Sequence, residues 1–180
     1  DPAHPRDDFW TWRERMYALA GSLDPASLRE ASERCYREML SAGYTSVAEF
    51  HYLHHRPDGA PYEDPNALAK AVAAGAEAAG MRLLLLPAAY ARGGLSRFRD
   101  ASAGEFLARV EELRAWAEGR PLVEVGLAAH SVRAVPRGWL EEIGEHARGR
   151  SLPLHVHACE QPREVEECRR EHGLRPVELL

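Results

Sequence analysis

The chain has no CxxC pair, and its three cysteines, Cys35, Cys159 and Cys168, form an odd set spread over 180 residues. That pattern excludes a disulfide framework and a zinc site built from cysteine, and it agrees with a reducing, cytoplasmic setting. No apolar run approaches the roughly 20 residues needed to span a bilayer, and the opening DPAHPRDD is polar rather than signal-like, so no membrane association is expected. Neither GxGxxG nor a GxxxxGKS/T loop occurs, and Arg92-Gly93-Gly94 is too short to cradle a phosphate, which counts against nucleotide cofactors. A basic face is lacking too. Lysine and arginine are scattered among acidic residues and the formal net charge is −5, so nucleic acid is not expected as a partner.

With 45% hydrophobic and 28% charged residues, the chain has an ordinary globular composition, sufficient for one domain or part of one. Helix and strand signals alternate along it. An amphipathic segment over 9–20 precedes Asp24, which caps a helix with Pro25 at its first position and Gly43 at its end. A β-type run over 45–51 follows. Asp64 and Pro65 open an alanine-rich helix closed by Gly80, and the apolar run 82–89 reads as a strand buried on both faces. A helix around 105–118, a strand over 122–129, a helix from Pro136 to Arg148, a strand over 154–158 and a helix from Pro162 to Gly173 complete the series. The chain starts at Asp1 and stops at a run, Pro176-Val-Glu-Leu-Leu180, that reads as the opening of another helix, so an internal fragment is expected.

Strands separated by helices imply an α/β fold with parallel strands and right-handed crossovers, in a closed barrel or an open doubly wound sheet. The polar residues favour the barrel. Glu49, His51 and Tyr52, then Tyr90, then His130 and Arg133, then His157 and Glu160 all fall at or just after strand C-terminal ends. A barrel gathers such ends around one mouth.

The stretch Leu154-His-Val-His-Ala-Cys-Glu-Gln161 carries the most chemistry, because His155 and His157 share one strand face. Imidazole is a good zinc ligand, and Glu160, just beyond the strand end, could serve a metal-activated water without ligating the metal. The competing reading makes both histidines hydrogen-bonded core residues. Arg133 suits a carboxylate held by two charge-assisted bonds, or else a surface ion pair. Tyr52 is either a substrate contact or a rim aromatic. The cluster His51, His54 and His55, close to Pro57, Asp58 and Gly59, reads as a solvent-facing lid rather than a second metal site, and Arg13 by default as a solvated helix arginine. Cys159 lies beside the expected site without a base to activate it.

The strings FWTWRERMY, AGYTSVAEFHYLHH followed by PDG, AHSVRAV and HVHACEQ together resemble the formimidoylglutamate deiminases, amidohydrolases of histidine degradation, over essentially the whole chain. The resemblance implies a TIM-type (β/α)8 barrel with one zinc, iron being the alternative metal, in which a metal-activated water attacks the formimidoyl carbon and ammonia leaves N-formyl-L-glutamate. It implies His157 as a zinc ligand and Glu160 as general acid/base. It places His130 at a catalytic and substrate-binding position, with Arg13, Tyr52 and Arg133 binding a small dianionic substrate. Residues 1–180 are then part of one barrel catalytic domain, about four consecutive β/α units. The family's first-strand HxH pair would precede residue 1, and its later histidine and aspartate ligands would follow residue 180. Four units by themselves cannot close an eight-stranded barrel, so a chain consisting of them alone is expected to bind zinc poorly and be inactive. The loop 91–99 looks shortened, and a homodimer is compatible with this reading. The alternatives are an amidohydrolase deaminase acting on a purine or triazine ring, and an inactive barrel fragment serving as a binding module.

Overall fold

A computed structural model of the chain describes residues 9–180; the polar opening DPAHPRDD lies outside the described residues, as do the side chains of Phe9 and Trp10. The elements are α1 Phe9–Ser22, α2 Pro25–Ser41, β1 Ser46–His51, α3 Ala67–Ala79, β2 Arg82–Ala89, α4 Ala103–Ala117, β3 Val123–Val125, β4 Leu127–Ser131, α5 Arg137–Arg150, β5 Leu154–His157, α6 Pro162–His172 and α7 Pro176–Leu179. No helix among them is long and apolar enough to cross a membrane.

Local chemistry sets most boundaries. Asp24 accepts a hydrogen bond from the Ser27 amide (2.8 Å) while the Ser27 hydroxyl accepts from the Asp24 amide (3.0 Å), a reciprocal cap that starts α2 at Pro25. The helix ends where Gly43 takes φ +93°, a conformation that glycine adopts without a Cβ clash. α2 and α3 then pack unusually close, because Gly75 has no side chain; a Cβ there would lie 2.8 Å from the Arg29 carbonyl oxygen and 2.9 Å from the Glu33 nitrogen.

Every strand pairing is parallel, with β1, β2, β4 and β5 in that order and β3 also beside β2. The two faces of the sheet are distinct. Leu83, Leu85, Leu127 and Ala129 point to the helix layer and share one core with Val72, Phe106, Val110 and Ile143. On the opposite face Leu86, Ala88 and Ala128 form a second, smaller cluster with Phe50 and Leu84. Helices covering one face of a curled parallel sheet make this the arc of a (β/α) barrel, as the alternation of helix and strand signals anticipates.

Two boundaries differ from the sequence expectation. The run 122–129 is not one strand: Gly126 divides it into β3 and β4. At that point the backbone switches partners. The Gly126 amide donates to Leu85 (2.9 Å), the Leu127 amide donates to Pro153 (3.0 Å), and a Cβ on residue 126 would sit 2.7 Å from the Pro153 oxygen. Asp64 does not cap α3 either. Its carboxylate takes the Asn66 amide (2.9 Å) and the Lys70 ammonium (2.6 Å), and the helix starts two residues later than Pro65, at Ala67.

Candidate active site

The C-terminal ends of the strands open on a cavity of about 660 Å³. Phe50 and Tyr52 come to it from β1 and the residue after it, Tyr90 from the end of β2, His130 from β4 and His157 from β5. The aromatic rings form a continuous wall around His130: its ring centroid is 4.4 Å from that of Tyr90, 5.3 Å from Tyr52 and 5.3 Å from His157, while Phe50 lies 4.3 Å from His157. A bulge produces the histidine pair. Ala129 is in register with Val156 but Ser131 with His157, so His130 is the extra residue and its ring is brought beside that of His157.

His157 Nδ1 lies 3.1 Å from the His130 carbonyl oxygen. An Nδ1–H donating to that carbonyl leaves Nε2 with the lone pair, the arrangement by which a backbone carbonyl orients a metal-ligating imidazole. Burial, with His157 and Arg133 nearby, lowers the His130 pKa to about 3, so this ring stays neutral. Burial likewise pushes the Tyr52 phenol up to about 12, keeping it a proton-bearing donor; it points at the Met16 sulfur, 3.6 Å away. Among the described residues no group of three or more His, Cys, Asp or Glu could hold a metal ion. His157 therefore fits as one ligand of such a site, not as the whole of it.

Glu160 and Arg133 line the same cavity, and they are bonded to each other: Arg133 Nη2 donates to Glu160 Oε2. Arg133 Nη1 donates to Glu164 Oε2 (2.9 Å), and that oxygen also accepts the Glu160 amide (2.8 Å). Glu164 is completely buried at the start of α6, and the sequence marks it only as an acidic residue in the first turn after Gln161-Pro162. The intervening turn is unusual. Cys159 holds φ +58°, which aims the next residue, Glu160, back toward the mouth.

α1 supplies the remaining wall, with Trp12, Arg13, Met16 and Tyr17 lining the cavity. The Arg13 guanidinium sits 5.5 Å from the centre of the Tyr17 ring. Buried Arg97 anchors the helix end, donating to the carbonyls of Ala20, Leu23 (2.8 Å) and His55 (3.1 Å). The cavity thus gathers six of the sequence candidates, Arg13, Tyr52, His130, Arg133, His157 and Glu160. His155 is not among its lining residues and is exposed.

Glu49 and His51 do not reach the mouth: Glu49 faces α2, where it accepts the Tyr36 hydroxyl (3.0 Å). The loop histidines also depart from the solvent-facing lid expected of them. His51 and His54 are buried. His54 Nδ1 lies 2.9 Å from Arg109 Nη1, so Nε2 carries the proton that reaches the Ala88 carbonyl (3.0 Å). Arg109 also pairs with buried Asp100, whose other oxygen accepts the Tyr90 amide (3.2 Å). This network grips both sides of the end of β2 and so fixes Tyr90 against His130.

The model of the amidohydrolase family matches residues 2–180. A formimidoylglutamate deiminase of Pseudomonas aeruginosa is 40% identical over 98% of this chain, and a 5-methylthioadenosine/S-adenosylhomocysteine deaminase of Shouchella clausii is 30% identical over 93% of it. The chain spans 40% and 35% of the lengths of these two relatives. The crystal structure of an amidohydrolase from Brucella melitensis superposes with a TM-score of 0.87 at 40% identity, covering 96% of this chain and 40% of that one. With a parallel arc whose histidines, glutamate and arginine meet at the strand C-terminal ends, and with the family match running from residue 2 to residue 180, the chain belongs to the amidohydrolase family.

Proposed function

We propose that residues 1–180 form part of one barrel catalytic domain that hydrolyses N-formimidoyl-L-glutamate to N-formyl-L-glutamate and ammonia, a step of histidine degradation in the cytoplasm. The observation that supports it best is the set of guanidinium groups on the cavity wall. Arg13, Arg92, Arg133 and Arg163 line it beside the His130–His157 pair; Arg92 is held by Glu171, Arg133 by Glu160 and Glu164, and Arg163 by Glu167. A small dianion suits such a wall; a neutral purine or triazine ring does not call for it. The likeness to a formimidoylglutamate deiminase points the same way.

In this reading His157, through Nε2, contributes one ligand to a zinc ion whose other ligands lie outside the described residues, iron being the alternative metal. The metal, when bound, supplies Lewis-acid activation of water. Glu160 takes a proton from the attacking water as its oxygen bonds to the formimidoyl carbon and passes it to the imine nitrogen, whose C=N double bond has become single; it then carries the remaining hydroxyl proton to the same nitrogen as the C–N bond breaks and the formyl C=O forms, releasing ammonia. Neutral His130 and the Tyr52 phenol are placed to hydrogen-bond the amidine, and Arg13 and Arg133 to hold the glutamate carboxylates.

The arginines test the substrate assignment. In the full-length protein, Arg13→Ala and Arg133→Ala are each expected to lower kcat/KM by about 10- to 100-fold, mainly through KM, the range of a lost hydrogen bond to a charged group. Steady-state kinetics on N-formimidoyl-L-glutamate measures this. Values within about threefold of wild type for both would remove the dianion assignment and leave the ring deaminases as the better reading.

A further inference from the structure

Arg133 presents two donors toward the cavity side of α6, and both are taken by carboxylates. The two partners are not equivalent. Glu164 is fully buried, whereas the side chain of Glu160 is 29% exposed and that of Arg133 26% exposed, so their bond lies on the cavity wall within reach of a ligand. Glu164 Oε2 also holds the Glu160 backbone amide at 2.8 Å. A ligand that breaks the Arg133–Glu160 bond therefore leaves Arg133 still oriented by Glu164 and the Glu160 backbone still anchored; only the Glu160 side chain has to turn.

We propose that the Arg133–Glu160 ion pair is a latch which a substrate carboxylate opens, with Glu164 as the positioning residue that keeps Arg133 in place throughout. The proposal rests on the reading of Glu160 as proton shuttle and Arg133 as carboxylate-binding residue. A carboxylate arriving at Arg133 competes with Glu160 for the same Nη2 donor. Displacement of Glu160 turns its carboxylate away from the arginine and into the cavity beside His130 and His157, where the proposed chemistry takes place. Recognition of the substrate's acidic end and release of the general base become one event, so a molecule lacking that carboxylate binds without freeing Glu160. Selection for acidic substrates is then exerted on turnover as well as on binding.

Calorimetric titration of the full-length protein with glutarate, a dicarboxylate without the reacting amidine, separates the latch from the chemistry. Glu160→Gln removes the competitor and is expected to tighten glutarate binding at least about tenfold. Glu167→Gln is the control, since it removes one negative charge from the same wall but no bond to Arg133, and its effect should stay within about threefold. Arg133→Gln combined with Glu164→Gln, which avoids stranding a buried carboxylate, should weaken binding at least about tenfold. Glu160→Gln binding glutarate no more tightly than Glu167→Gln overturns the latch, as does glutarate binding that is indifferent to the Arg133 variant. A protein that hydrolyses N-formimidoyl-L-glutamate but lacks the Glu160→Gln tightening keeps the deaminase reading and loses the latch; the opposite pair of results keeps the latch and loses the substrate.

Discussion

Glu160→Gln in the full-length protein is expected to retain its zinc and to lower kcat at least about 100-fold, because a positioned general acid/base contributes about 10²- to 10⁴-fold. The substitution is nearly isosteric, and its backbone is fixed independently of the side chain: the amide of residue 160 is held by Glu164 and the preceding residue, Cys159, sets the turn at φ +58°. The substitution should therefore leave the backbone of the site undisturbed while removing the proton carrier, together with the charge that competes for Arg133. Metal content and kcat measured on the same preparation decide the matter. Loss of zinc with unchanged activity per bound metal would make Glu160 a structural residue.

The largest effect on stability is expected at Arg109, far from solvent and bonded to Asp100, with His54 on its other side. Burial pushes the Asp100 carboxyl above its ordinary value despite the guanidinium, and holds His54 well below its own, so neither neighbour has solvent to fall back on. Arg109→Leu should cost about 3–5 kcal/mol, the usual penalty for stripping one partner from a buried pair. Adding Asp100→Asn should recover at least about 1 kcal/mol, because the stranded group no longer carries a charge. Thermal unfolding of the full-length variants tests both. If the double substitution is no more stable than Arg109→Leu alone, Asp100 and Arg109 do not act as a pair.

How much of this was legible depended on how far apart in sequence the interacting groups lie. Residues 82–89 announced a strand because four consecutive leucines satisfy both faces of a sheet, and they fold as β2 with those ends. Asp24 and Pro25 announced α2 because a cap is a contact between near neighbours. Gly126 gives no comparable warning, since the partner that requires a glycine there is the backbone of Pro153, 27 residues on and just ahead of β5. The burial of His54 is hidden from the sequence for the same reason. Pro57, Asp58 and Gly59 mark a turn locally, whereas what buries His54 is Arg109, 55 residues on in the chain. The site shows the same division: His157 and Glu160 stand out as a local pattern, but Glu164 acquires its role from Arg133, 31 residues earlier, and only the fold brings the two together.

The dianion assignment is tested most directly by ammonia release. The full-length protein, loaded with zinc, should hydrolyse N-formimidoyl-L-glutamate with a kcat/KM at least about 10²-fold above that for 5-methylthioadenosine, since the proposed role of Arg13 and Arg133 is to hold carboxylates that the nucleoside lacks. A higher kcat/KM for the nucleoside, or no ammonia from N-formimidoyl-L-glutamate with the metal bound, would contradict it.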